Sequence, residues 1–139
     1  MYAYQGSVLE NQVATFGEWE AFFENHGFAV GGGWEADHGY FDKKLKDDPG
    51  YLFLRVPAFV EEGHFGDDDA LLRLGTPFIL HHRYQRENDL LASPSLFSAS
   101  LNQFASPEDE DALLSEEDIE RGQAALREVE EDFRQQFLS

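Results

Sequence analysis

No cysteine occurs among the 139 residues. That absence removes disulfides, Cys-ligated zinc, iron–sulfur clusters and thiol catalysis together. Basic side chains are scarce: 10 Lys and Arg stand against 28 Asp and Glu, a formal net charge of −18. Duplex DNA or RNA is therefore excluded as the main partner, because phosphate binding needs clustered Lys and Arg. No apolar run approaches the ~20 residues that span a bilayer. The start, Met1-Tyr2-Ala3-Tyr4-Gln5-Gly6, has neither the basic nor the apolar region of a signal peptide. A soluble cytoplasmic protein is the expectation. What is present suits a folded domain: 42% hydrophobic and 14% aromatic residues can bury a core. The length fits one domain spanning residues 1–139.

The charge is uneven. Residues 1–42 hold seven acids and no Lys or Arg; residues 43–86 hold seven of each sign; residues 87–139 hold fourteen acids and three bases. The middle is neutral and the acidity belongs to the two ends. This bears on solubility, a saline setting or a basic partner, not on fold.

Two helices stand out. Over 15–26, Phe16, Trp19, Phe22, Phe23 and His26 recur at three- and four-residue spacing, one face of a helix. Thr15 with Glu18 forms a capping-box pattern, and Gly27 is placed to end the helix. Over 116–137, Ile119, Leu126, Val129, Phe133 and Phe137 trace a second stripe, capped by Ser115 with Asp118. Leu114 can staple onto Ile119.

Between them the period is two. Residues 28–34, 38–46, 51–60, 70–74 and 77–85 read as strands separated by short turns, hence antiparallel neighbours. Residues 87–114 read as an irregular crossing with one short strand near 96–101. The expected fold is α+β: an antiparallel sheet of about five or six strands with two helices on one face.

Chemistry-bearing patterns are sparse. Gly31-Gly32-Gly33 lacks the Lys-Ser/Thr and the spacing of a phosphate loop, and glycines in a strand more often mark a bulge or a close backbone approach. No HExxH, EF-hand or GxSxG pattern occurs. Neither a metal nor a cofactor is predicted. His38 and Asp42 share one face of an extended strand, and His82 is the third member of a weak polar set. Arg55 and Arg73 sit inside apolar strand sequence, where a guanidinium wants a carboxylate or an anionic ligand. Asp42 or a glutamate is the structural partner; a small anion is the functional one. With Tyr51, Phe53 and Tyr84, these arginines mark the face expected to bind a ligand or a protein. The reading is a non-enzymatic binding protein acting as a homodimer. The alternative is a small metal-dependent or His/Asp-based hydrolase or isomerase, which needs His38 and His82 a few ångströms apart in one cleft.

Several blocks carry a resemblance. They are Trp34-Glu35-Ala36-Asp37-His38-Gly39-Tyr40-Phe41-Asp42, Gly50-Tyr51-Leu52-Phe53-Leu54-Arg55-Val56-Pro57, Arg73-Leu74-Gly75-Thr76-Pro77-Phe78-Ile79-Leu80, and Asn102-Gln103-Phe104 with Ser106-Pro107. Over residues 33–107 the chain resembles the YugN-like family of small proteins from Bacillus and its relatives. The Asp-rich turn at 61–69 and the acidic last helix depart from that pattern. The resemblance implies a compact α+β domain in a cytosolic bacterial protein and supplies no activity.

Overall fold

The computed structural model describes residues 1–47, 50–84, 108–109 and 114–138. The expected strand near 96–101 lies outside them. In chain order the elements are β1 (Tyr2–Ala3), β2 (Val13–Thr15), α1 (Phe16–Glu24), β3 (Ala29–Val30), β4 (His38–Lys46), β5 (Tyr51–Glu62), β6 (Leu71–Leu74), β7 (Phe78–Tyr84), β8 (Glu108–Asp109) and α2 (Glu116–Phe133). A π-helical turn, Arg134–Leu138, follows α2.

Every pairing is antiparallel, in the order β1-β7-β5-β4-β3. The twelve-residue β5 organises the sheet. From Leu52 to Phe59 it runs beside β4; on its other edge the first half faces β7 and the second half faces β6, which in turn pairs with β2. β8 adds to the β7 edge. The central strands fall where the period of two predicted them. β1, β2 and β8 are additions, too short to show a period. β3 is shorter than the expected 28–34: Gly31 N–H still donates to Tyr40 O at 2.9 Å, and the chain then leaves the ladder.

Both helices begin as their capping residues dictate. Thr15 Oγ1 accepts from Glu18 N while Glu18 Oε1 accepts from Thr15 N; Ser115 and Asp118 repeat the exchange. At the far end of α1, Gly27 N–H donates to Glu24 O and Phe28 N–H to Phe23 O, each at 3.0 Å. That is a Schellman motif, and it needs the left-handed backbone of Gly27 (φ +83°). The Phe23 and Phe28 rings meet across it at 5.1 Å.

The helices cover one face of the sheet. Leu52, Leu54, Val56, Leu72, Leu74 and Ile79 rise from the strands into the same buried cluster as Phe16, Trp19, Phe22, Phe23, Leu126, Val129 and Phe133. Trp19 stacks on Phe133 at 5.9 Å, Phe23 stacks on Phe41 at 4.8 Å, and the Trp19 indole N–H donates to Leu72 O at 3.1 Å. Two polar ties lock the helices down. His26 Nε2 lies 2.7 Å from Asp132 Oδ2, joining α1 to α2, and Lys46 Nζ donates to the buried Asp118 at 2.5 Å, joining sheet to α2. Among the described residues no helix is long and apolar enough to cross a membrane.

Candidate functional site

The second face of the sheet carries the residues singled out in the sequence. Strand alternation turns Leu52, Leu54 and Val56 to the helices, so Tyr51, Phe53 and Arg55 face away from them. Directly opposed residues in an antiparallel pair share a face. Register therefore adds Asp42 opposite Arg55, Lys44 opposite Phe53, His38 opposite Phe59, Arg73 opposite Phe59, Val13 opposite Arg73, and His82 opposite Tyr51.

At the centre of this face Arg55 grips Asp42 with two hydrogen bonds, Nε to Oδ1 at 2.8 Å and a terminal nitrogen to Oδ2 at 2.9 Å. Such a fork is the strong form of the ion pair. The guanidinium also lies over the Tyr40 ring, 4.5 Å from its centroid. Gly31 makes room for this arrangement: a Cβ there would stand 2.5 Å from Asp42 Oδ2. Of the glycine run, Gly31 alone makes a close backbone approach to a carboxylate; a Cβ at Gly32 or Gly33 would meet nothing within 4 Å.

One end of the face is apolar and cationic. Arg73 Nε donates to Glu61 Oε1 at 2.8 Å, a second nitrogen reaches Asn11 Oδ1 at 3.3 Å, and the guanidinium lies 5.3 Å from the Phe59 centroid. Beside it Phe59 is 39% exposed and Val13 51% exposed. At the other end Lys44 Nζ sits 4.9 Å over the Tyr51 ring, Tyr51 meets Phe53 at 6.0 Å, and Phe53 meets the buried His82 edge-on at 5.7 Å. Tyr84 lies in β7 opposite Glu108; its side chain is outside the described set.

The structure thus brings Arg55 to Asp42 and Tyr51 to Phe53 and His82, and puts Arg73 at the opposite end. It does not gather His38, Asp42 and His82. His38 faces Phe59 and His82 faces Tyr51, eight positions apart on β5. At about 3.3 Å per residue that is about 26 Å along the strand. The close approach that the hydrolase alternative demands of His38 and His82 is not met.

His38 instead has local company. Its Nδ1 lies 2.8 Å from Asp37 Oδ1, and the bond holds the Asp37 carboxyl below the usual carboxylate range. Glu35 joins them across an isolated bridge, and one ligand atom from each of the three lies within 4.8 Å of the others. Glu35 and Asp37 are exposed.

Sequence reasoning missed Asp118 as more than a cap. Burial pushes its carboxyl up, yet the Lys46 ammonium and the Ser115 N–H and hydroxyl outweigh burial and hold it below the usual range. Lys46 and Asp118 are 72 residues apart, and no local pattern marks the pair.

Comparison with known proteins agrees with this layout. Residues 5–133 match the model of the YugN-like family. Over 125 residues the chain is 37% identical to "Uncharacterized protein YugN" of Bacillus subtilis (strain 168), covering 90% of this chain and 93% of that one. "Uncharacterized protein YlbA" of the same organism is 27% identical over 84 residues, 60% of this chain and 70% of its own. The fold is similar to the crystal structure of uncharacterized conserved protein YugN from Geobacillus kaustophilus HTA426, with a TM-score of 0.71 at 19% identity and full coverage of both chains. With its strand blocks, its two capped helices and a match over nearly its whole length, the chain belongs to the YugN-like family.

Proposed function

We propose that this is a single-domain cytoplasmic protein that works by binding, without catalysis, through the face of its sheet that neither described helix covers. The observation that carries the reading is the end of that face where Phe59 and Val13 stand exposed around Arg73. Large apolar side chains left in water beside a stacked guanidinium are typical of recognition surfaces. The occupant we assign is a second copy of the chain. Two chains of charge −18 repel, and the neutral segment 43–86 supplies most of this face. A contact there brings the copies together where repulsion is least.

A small anionic ligand is the other occupant to test. It would have to displace Asp42 from Arg55 or Glu61 from Arg73, since both cations already hold carboxylates. Sedimentation equilibrium on the full chain separates these cases. Wild type is expected to sediment as a dimer, and Val13→Glu with Phe59→Glu as a monomer. A monomeric wild type overturns the dimer, and a thermal shift with a panel of small organic anions then tests the ligand form.

One observation favours a second reading, a metal-dependent or His/Asp-based hydrolase or isomerase: the Glu35, Asp37 and His38 cluster. That site would work without His82. Metal analysis of purified protein, with thermal shift on adding zinc or manganese, is its test.

A further inference from the structure

Away from the sheet face, a cleft of about 440 Å³ opens between the N-terminal segment and the second half of α2. Its size lies within the range of small-molecule sites, about 300–1,000 Å³. Its walls are Tyr2, Tyr4, Gln5, Gln123, Arg127 and Glu130, together with adjoining backbone. They are well anchored. Tyr4 N–H donates to Pro77 O at 2.8 Å, the Tyr4 hydroxyl donates to Ile119 O at 2.7 Å, and Ser7 Oγ donates to Glu130 Oε2 at 2.7 Å. The chain turn between them is closed by Gly6 N–H donating to Glu10 Oε1. These bonds fix a preformed cleft rather than a gap between loose ends.

Both signs of charge line it. Arg127 has no ion-pair or hydrogen-bond partner among the described residues. Glu130 is held through one oxygen by Ser7, and its other oxygen is uncommitted. Although Arg127 and Glu130 stand one turn apart on α2, no ion pair joins them. A cation and an anion held apart in one cleft are complementary to a molecule carrying both charges. The Tyr2 and Tyr4 rings, edge to face at 5.2 Å, stand beside them in a lining that is otherwise mostly polar. The amides of Gln5 and Gln123 offer further donors and acceptors.

We infer that this cleft binds a free α-amino acid, its carboxylate on Arg127 and its ammonium on Glu130, with its side chain along Tyr2. The zwitterion follows from the electrostatics of the whole chain. A simple anion would gain Arg127 but enter the field of a −18 protein, and would meet Glu130. A simple cation would gain Glu130 and meet Arg127. A zwitterion has no net charge to be repelled and satisfies both groups.

The test uses the full-length protein. Saturation-transfer NMR with a mixture of the twenty L-amino acids identifies binders, and calorimetry measures the strongest. At least one amino acid is expected to bind. Its N-acetyl form, which lacks the ammonium, and its α-amide, which lacks the carboxylate, are each expected to bind about tenfold more weakly or worse. Arg127→Gln and Glu130→Gln should each cost a similar factor. Arg127 is exposed, so Arg127→Gln is expected to keep the wild-type circular dichroism and unfolding midpoint. Phe59→Ala on the sheet face should leave amino-acid binding unchanged, which separates this site from the binding face. Absence of binding by all twenty, equal binding of the blocked forms, or full affinity in Arg127→Gln overturns the inference.

Discussion

The two faces of β5 are built from one alternating segment and hold together in different ways. Toward the helices, Leu52, Leu54 and Val56 lose all contact with water among phenylalanines and leucines. Away from them, Tyr51, Phe53 and Arg55 remain half-buried and make directed contacts: a carboxylate fork, ring edges and a guanidinium over a ring. The buried face stabilises chiefly through area, with a few buried polar ties, and tolerates little change of volume. The outer face adds less to stability, and this leaves its side chains available for recognition. The difference suggests where substitutions should unfold the protein and where they should only change what it binds.

Leu54→Ala gives the largest expected effect. It leaves a cavity at a fully buried site and should cost about 2–5 kcal/mol in chemical denaturation. A cost near zero would mean that the helix-side face is not the core.

Asp118→Asn comes next and also belongs to the helix side. The buried carboxylate is held by Lys46, which is itself mostly covered, so losing the charge should cost about 1–3 kcal/mol at neutral pH. The pH dependence has a definite sign. The folded pKa of Asp118 lies below its unfolded value of about 3.9. Its contribution is thus fully present above that value and is lost as pH falls through the folded pKa. Stability curves of wild type and Asp118→Asn should converge in acid, and parallel curves would rule this account out.

On the outer face, Asp42→Ala strips the Arg55 fork and should cost about 1–2 kcal/mol, since both partners are only partly buried. A double-mutant cycle with Arg55→Ala measures the coupling directly. A coupling near zero would make the pair an ornament of the surface rather than a support of it. Phe59→Ala should have the smallest effect on stability, within about 0.5 kcal/mol, while weakening self-association in sedimentation. If Phe59→Ala unfolds the protein instead, the contrast between the two faces fails.

Much of this layout was legible along the chain. Thr15 with Glu18 and Ser115 with Asp118 announce helix starts because capping is settled within four residues. The stripes from Phe16 to Phe23 and from Leu126 to Phe133 mark buried faces for the same local reason. The arginines at 55 and 73 were readable as cations in need of carboxylates, and both have them. β1 and β2 were not readable. With two and three residues they have no period, and they pair because the sheet edges at β7 and β6 offer them hydrogen bonds. The cleft beside Arg127 was equally hidden, because its two walls lie more than a hundred residues apart.

The sequence by itself determined the kind of elements and their order, since period, capping and turn chemistry act over a few residues. It also determined that the acidity sits at the two ends of the chain. Only the tertiary structure decided which of 28 carboxylates meets which cation. That choice rests on strand register and helix docking: register sets Asp42 against Arg55 and holds His38 away from His82. The docking of α2 carries Asp118 to Lys46 and leaves Arg127 and Glu130 facing the N-terminal segment. Coulomb attraction acts between any opposite charges that come close, and closeness across the chain is a property of packing.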